Sequence, residues 1–427
     1  MEWIKTLPQQ NIRQLALFLF SLLLLAFSFT RLLLKIILFS QDERTQSFIG
    51  YYVASLLLLQ GRLGPQVYTN EWFIEQVRQV SGQPVSEIFA PSLPTVSLLA
   101  APFALLPLQP AHTLWLWFNL LALLLGLALL LLTCQRLTPP RPRWWWPLLL
   151  AFALSFRPAL ANFEVRQSII IFFCLFAFSL WGLLNRRAWL AGLPLGLAFI
   201  LKTTGLSLWF LLLLQRRWTA LAWGLAAILV VALASLPWIG LATWQAYAGV
   251  VTAIIAGSPI KAVTAYQTTA GLLTHLFQYD PTWNPQPVYH WPLLASLLTL
   301  LISLAALALT FWPGRDRRTA PFFFAALLPL SVVLLPVAEE HHFVILLISI
   351  FILLNTTSLT AKTLLSLDIL LLGLAVLLLI APVPYKDPAL SPGWLALLAY
   401  PRLYGGWLIW LVALRRMRKE NLAPPSE

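Results

Sequence analysis

An all-α, polytopic membrane bundle is the fold this chain predicts, on three observations. Its 427 residues are 60% hydrophobic and only 10% charged. Apolar runs near the length of about 20 residues needed to cross a bilayer recur from end to end. Basic residues gather in small clusters between those runs, the pattern of loops on the cytoplasmic side. A soluble domain cannot hide so much apolar surface, and lipid offers no partners for the edge of an open sheet. The formal charge of +13 is therefore that of membrane-flanking loops. The bilayer is the expected partner and nucleic acid is not. Cys134 and Cys174 lie in or beside apolar runs and give neither a disulfide framework nor a metal spacing. The first apolar run has no small-residue cleavage site and continues through Arg31 and Lys35, so it reads as an uncleaved helix.

Taken in order, the elements form one integral membrane domain over 1–427. Cytoplasmic clusters are Lys5/Arg13, 136–143, Arg186/Arg187, Arg216/Arg217, 315–318 and 415–419. The first helix rises over 14–38 to a large external loop, 40–94. A helix at 112–134 descends, then 147–161 rises, 168–184 descends, 188–201 rises and 203–214 descends. The run 219–240 rises to a second external loop, 241–290. The pairs 291–312/321–336 and 343–358/364–382 follow, and 394–413 returns the C-terminus inside. About 12 crossings with both termini cytoplasmic result. Segment 93–110 is broken by Pro94, Pro102, Pro107 and Pro110 and reads as a short re-entrant or interfacial helix, because a full span there would put 136–143 outside. Within the first loop, 51–59 and 71–80 read as amphipathic helices on the outer surface. That loop also holds Asp42, Glu43, Glu71, Glu75 and Glu87, a third of the 15 acidic residues, which marks it as the place to look for a site.

Candidate chemistry collects at the external turns: 40–94, 156–167, 202–205, 241–290, 337–342 and 382–392. Lys202, flanked by apolar runs, either meets an anion such as a lipid phosphate or snorkels to the interface. Arg157 and Arg166, with Gln167, stand in one short external turn against the positive-inside tendency. Their planar donor forks suit phosphate, unless Glu164 simply pairs with one of them. Glu339, Glu340, His341 and His342 are adjacent at another turn and orient a substrate or cap a helix. A metal is the weaker reading, since neighbouring histidines do not share a helical face and the HExxH spacing is absent. Arg31 and Lys35 share a face of the first helix. Asp42 and Glu43 follow that helix directly and are candidates for a general base.

The segments "SFIGYYVASLLLLQG", "VYTNEWF", "FAPSLPTVSLLAAPFALLPL", "FRPALANFEVRQSIIIFF", "LAGLPLGLAFILKTTGLSLWFLLLLQRRW", "AYQTTAGLLTHLF" and "PVAEEHHFVILL" resemble, in order and spacing, glycosyltransferase family 87. This is a family of polyprenol-phosphate-mannose-dependent mannosyltransferases within the membrane-embedded GT-C superfamily. The resemblance covers about 45–350. It implies that Lys202 matches the family lysine, that Gln267 matches a polar position of its segment, and that His341 or His342 matches the family histidine. The family's external aspartate, its general base, falls on Ser47 here, ahead of Phe48, Tyr51 and Tyr52, and its glycine–glutamine pair reads Arg166–Gln167. Either Asp42 or Glu43 has taken over the base role, or this member has changed substrate or is catalytically silent.

The resemblance implies a hexosyltransferase that moves a sugar, mannose first, from a polyprenyl-phosphate donor to an extracytoplasmic glycolipid or glycan acceptor, with inversion. Lys202, Arg157 and Arg166 would meet the departing lipid phosphate. Gln167, Gln267, Glu340, His341, His342, Tyr51 and Tyr52 would touch substrate. No cofactor or metal is required. A lipid or solute transporter is the rival class; it would place broken helices and charges at mid-membrane, whereas here the ionisable residues stand near helix ends.

Overall fold

The computed structural model describes residues 9–42, 45–90, 92–137, 140–257, 262–357 and 366–422. Among them the secondary structure is helical, with one isolated β-bridge between Asp280 and Asn284. The helices are α1 (Gln9–Gln41), α2 (Ser47–Leu59), α3 (Asn70–Ser81), α4 (Val96–Ala100), α5 (Leu108–Leu137), α6 (Trp145–Ser155), α7 (Arg157–Glu164), α8 (Ile169–Leu184) and α9 (Ala188–Lys202). They continue with α10 (Leu208–Leu214), α11 (Trp218–Ile239), α12 (Leu241–Gly257), α13 (Thr269–Phe277), α14 (Pro292–Gly314), α15 (Ala320–Val333), α16 (Leu346–Asn355), α17 (Leu367–Ile380) and α18 (Pro401–Leu422).

Helices α1, α5, α11 and α14 are long and apolar enough to cross a membrane. Two bent pairs add to them: α6 with α7, broken by 41° before Arg157-Pro158, and a 3-10 segment Gly393–Ala399 with α18, broken by 59° before Pro401. The other crossings expected from sequence fall on helices of 10–17 residues, or on α10, which has only 7. Such lengths suit helices buried by protein rather than by lipid. Indeed α8, α15 and α16 are hydrophobic all round and buried along almost their whole length. By contrast α1, α11 and α14 expose leucines along most of their surface, as lipid-facing helices do.

Three local expectations change. Helix α2 does not lie on the outer surface: Phe48–Leu58 is buried but for Leu56, and α2 packs against α3, α4 and α5. Its hydroxyls, on Tyr51, Tyr52 and Ser55, find acceptors inside the bundle and need no water. The expected loop 241–290 is largely helical, carrying α12 and α13. Segment 93–110 is short and broken, as its prolines require, but α5 already starts at Leu108.

Helix α9 owes its position to two glycines. A Cβ on Gly192 would overlap the carbonyl oxygen of Ala220, and one on Gly196 that of Gly224. The backbones of α9 and α11 thus meet without side chains between them, the small-residue packing of membrane helices. Gly192→Ala therefore forces α9 outward and lowers stability by about 1–3 kcal/mol. Thermal unfolding in detergent reads this directly, against Gly249→Ala, where a Cβ meets open space.

Candidate functional site

Lys202 ends α9, and Thr203 closes the helix in the left-handed region, at φ 49°. This turns the Lys202 side chain under α2 and the start of α8. Its ammonium nitrogen lies 2.9 Å from the Tyr51 hydroxyl, 3.0 Å from Oε1 of Gln167 and 3.5 Å from Oγ of Ser168. The Tyr51 hydroxyl in turn donates to the same Gln167 oxygen. All three oxygens are neutral. A half-buried ammonium held by neutral acceptors is oriented but not compensated, and so attracts an anion.

Carboxylates face it without touching it. Glu87, from the stretch between α3 and α4, lies on Gly50, where a Cβ would come within 3.0 Å of its Cγ. Gly50 is next to Tyr51, so the absent side chain seats Glu87 beside the Lys202 cluster. Burial and the neighbouring Glu339 push the Glu87 carboxyl up to about 7, against the pull of Lys202. Glu339 is likewise raised, mainly by burial, with Lys386 and Lys202 opposing; its Oε2 is 3.8 Å from Lys386 Nζ. Glu87, Glu339 and Lys202 share one field.

The turn after Glu339 is held by its own backbone, whose N–H donates to Nδ1 of His342 at 3.1 Å. A 3-10 segment Glu340–Ile345 follows and packs on α7 and α8. His341 is 4% exposed, its ring 4.3 Å from that of His342, and its Nε2 has no hydrogen-bond partner among the described residues. A buried polar atom left open is costly unless something fills it.

A line of ion pairs runs behind the cluster. Lys35 meets Glu164 at 3.1 Å, Arg157 meets Glu164 at 2.7 Å and Glu340 at 3.3 Å, and Arg402 meets Glu340 at 2.6 Å. Arg402 is fully buried and also donates to the carbonyls of Leu378 and Ala381. These cations are compensated, unlike Lys202. Asp368, the apolar-run carboxylate, pairs with Arg415, Arg416 and Lys419 at the other end of α17.

Several sequence expectations move. Arg166 is 2% exposed and spends its guanidinium on Asp42 at 2.9 Å, on His112 at 3.3 Å and on the Glu164 carbonyl, so it anchors the turn rather than opening to a phosphate. Asp42 is engaged by the same pair. Glu43 lies outside the described residues. Gln267 is wholly buried: its amide donates to the carbonyls of Thr264 and Ala399, both at 2.7 Å, and accepts the N–H of Arg402. It is a strut for Arg402 and has no group left for substrate. Tyr52 points away from Lys202, donating to the Leu106 carbonyl at 2.8 Å. Tyr51, Gln167 and Lys202 come together directly. Glu340, His341 and His342 follow Glu339 in its turn, and Arg157 reaches that turn through Glu340 rather than through Lys202. Glu87 and Arg402 were missed; the signal for each was a lone charge inside an apolar, proline-marked stretch, "SEIFAPSLP" and "LLAYPRLYGG".

Arg166 sits at φ 54°, a region that favours glycine and costs other residues about 1 kcal/mol. The family pattern has glycine at this position. Its pair with Asp42 is what holds the strained conformer. Both Arg166→Gly and Arg166→Ala lose the pair, so the glycine variant melts higher than the alanine variant, by about 1 kcal/mol in stability; equal melting would mean the turn is unstrained.

The profile of glycosyltransferase family 87 matches residues 94–336. An alpha-(1->3)-arabinofuranosyltransferase of Corynebacterium glutamicum is 27% identical over 238 residues, which are 55% of this chain and 51% of that protein. The chain thus spans about half the length of this relative. No solved structure matches the chain.

Proposed function

Because the chain belongs to glycosyltransferase family 87, and is a membrane glycosyltransferase, we propose that it takes a sugar from a polyprenyl-phosphate donor and transfers it, with inversion, to a glycolipid or glycan hydroxyl on the extracytoplasmic side. The observation that carries this reading is the Lys202 ammonium, which among the described residues is held by the neutral oxygens of Tyr51, Gln167 and Ser168. Such a fixed cation suits a leaving phosphate, whose charge grows as the bond to the anomeric carbon breaks. Arg157 is spent on Glu164 and Glu340 and is the weaker candidate for that phosphate.

In the step, the acceptor hydroxyl attacks the anomeric carbon and the sugar–phosphate bond breaks, its electron pair leaving with the phosphate oxygen. The hydroxyl proton goes to a carboxylate on the opposite side. Glu87 fits this role better than Asp42, since it faces Lys202 and is not tied to a guanidinium. The open Nε2 of His341 is available to a sugar hydroxyl. A donor carried on a lipid tail is supported by an apolar cavity of about 610 Å³ lined by Leu22, Leu25 and Phe29 of α1, Leu127 of α5 and Leu154 of α6. Its α1 wall ends at Phe29, just under two helical turns short of Lys35.

Mannose is the sugar that the family resemblance favours; the printed name of the relative favours arabinofuranose. Proteoliposomes holding the purified protein, membrane glycolipid acceptors and either polyprenyl-phosphate-mannose or polyprenyl-phosphate-arabinofuranose test the reading. Transfer from one lipid-linked donor and none from nucleotide sugars is expected. Transfer from a nucleotide sugar alone would overturn it.

A further inference from the structure

The opposite end of α9 carries a second arrangement of charges that sugar transfer does not use. With 15 residues in α9, it lies about 22 Å from Lys202. There a cavity of about 690 Å³ is lined by Arg186, Arg216, Arg217, Arg317 and Arg318, together with the first residues of α9 and α11. The acidic groups facing these arginines are Asp316, which pairs with Arg318 at 2.8 Å, and Glu420, which acts on Arg318 from further away. Arg186, Arg216 and Arg217 have no ion pair among the described residues, and the buried Nε of Arg217 has no hydrogen-bond partner. Burial, Arg317 and Arg186 all disfavour the charged form of Arg217. With Arg318 held by Asp316, the remaining guanidinium groups around the cavity repel one another unless an anion sits between them.

The cavity is built rather than incidental. The turns α8–α9 and α10–α11 repeat the same geometry, with Arg187 N–H bonded to Gly182 O at 2.8 Å and Arg217 N–H to Leu212 O at 2.7 Å. In each, the preceding arginine occupies the left-handed position, Arg186 at φ 56° and Arg216 at φ 52°. Glycine is the usual occupant of that position. The third wall is fastened to the second: Arg317 donates to the carbonyls of Gln215 and Arg216 at 2.9 and 3.0 Å, and Gln215 donates to those of Gly314 and Asp316. The N-termini of α9 and α11, with their unpaired N–H groups, open on the same space, a second attraction for an anion. Trp189 and Trp218, 49% and 59% exposed at these helix starts, are the ring type that settles at headgroup level.

We infer that this cavity binds the phosphate group of an anionic phospholipid, in the leaflet opposite the Lys202 site. Arg186, Arg216 and Arg217, with the two helix N-termini, recognise the phosphate, and Arg317 adds its charge; the tryptophans place it at the membrane boundary, where a lipid headgroup rather than a soluble phosphate arrives. Such basic pockets between membrane helices are a known means of headgroup recognition.

The test is thermal unfolding of the purified full chain in neutral detergent, with phosphatidylglycerol, phosphatidylcholine or inorganic phosphate added at equal phosphate. Phosphatidylglycerol is expected to raise the melting temperature by about 3 °C or more, and the other two to leave it unchanged. The variant R186G/R216G removes two guanidinium groups while suiting both left-handed turns. It should melt as high as wild type in detergent alone and lose most of the phosphatidylglycerol shift. Should it not fold, Arg217→Gln, which keeps both turns, is read in the same way. A full shift in the variant, or equal shifts with phosphatidylglycerol and phosphatidylcholine, overturns the site. An equal shift with inorganic phosphate overturns the lipid assignment.

Discussion

Lys202→Met lowers sugar transfer by about 10²–10³-fold, equivalent to about 3–4 kcal/mol of transition-state stabilisation. Methionine keeps the length and the apolar stem, so the fold and the α9–α11 contact survive. What is lost is the charge that Tyr51, Gln167 and Ser168 hold in place. Phosphate charge grows toward the transition state, so the loss falls on kcat more than on KM. Steady-state kinetics in proteoliposomes separates the two. A variant that raises KM alone would make Lys202 a headgroup clamp with no part in departure of the phosphate.

Glu87→Gln comes next, with a loss of about 10²-fold or more, the usual scale for removal of a general base. Its pH dependence is the sharper readout. The carboxylate must be ionised to accept the acceptor's proton, and burial beside Glu339 raises its carboxyl to about 7. Wild-type kcat/KM therefore climbs as pH rises through about 7, and the residual activity of Glu87→Gln does not. Stability runs the other way. A carboxyl raised above its ordinary value of 4.5 contributes stability below that value, and the contribution is lost as pH rises through about 7. Melting temperature against pH falls over this window in wild type and is flatter in Glu87→Gln. A variant that keeps both slopes would hand the role to Glu339, the other raised carboxyl in the field.

Apolar run length and basic clusters made the helical membrane class legible in the sequence, and α8, α9, α11 and α14 fall within a few residues of their expected ends. Burial was harder to read. Residues 51–59 read as an amphipathic surface helix, yet the hydroxyls of Tyr51, Tyr52 and Ser55 each find a protein acceptor inside the bundle. The cluster around Lys202 was half visible. Lys202 and Gln167 stood out as polar residues at external turns. Which arginines were spent on carboxylates was not, because Arg157–Glu340 and Arg402–Glu340 join residues far apart in the chain. Glu87 was one acid among five in a long loop. Only the fold, by laying it on Gly50, sets it apart.

If the proposed transfer is right, the lipid phosphate rests on Lys202. An experimental structure of the protein with polyprenyl phosphate, the product of transfer, decides this. Phosphate oxygens are expected within hydrogen-bond distance of Lys202 Nζ, on the side facing Glu87. A phosphate seated instead against Lys35 and Arg157, with Lys202 still bound only to Tyr51 and Gln167, would contradict it.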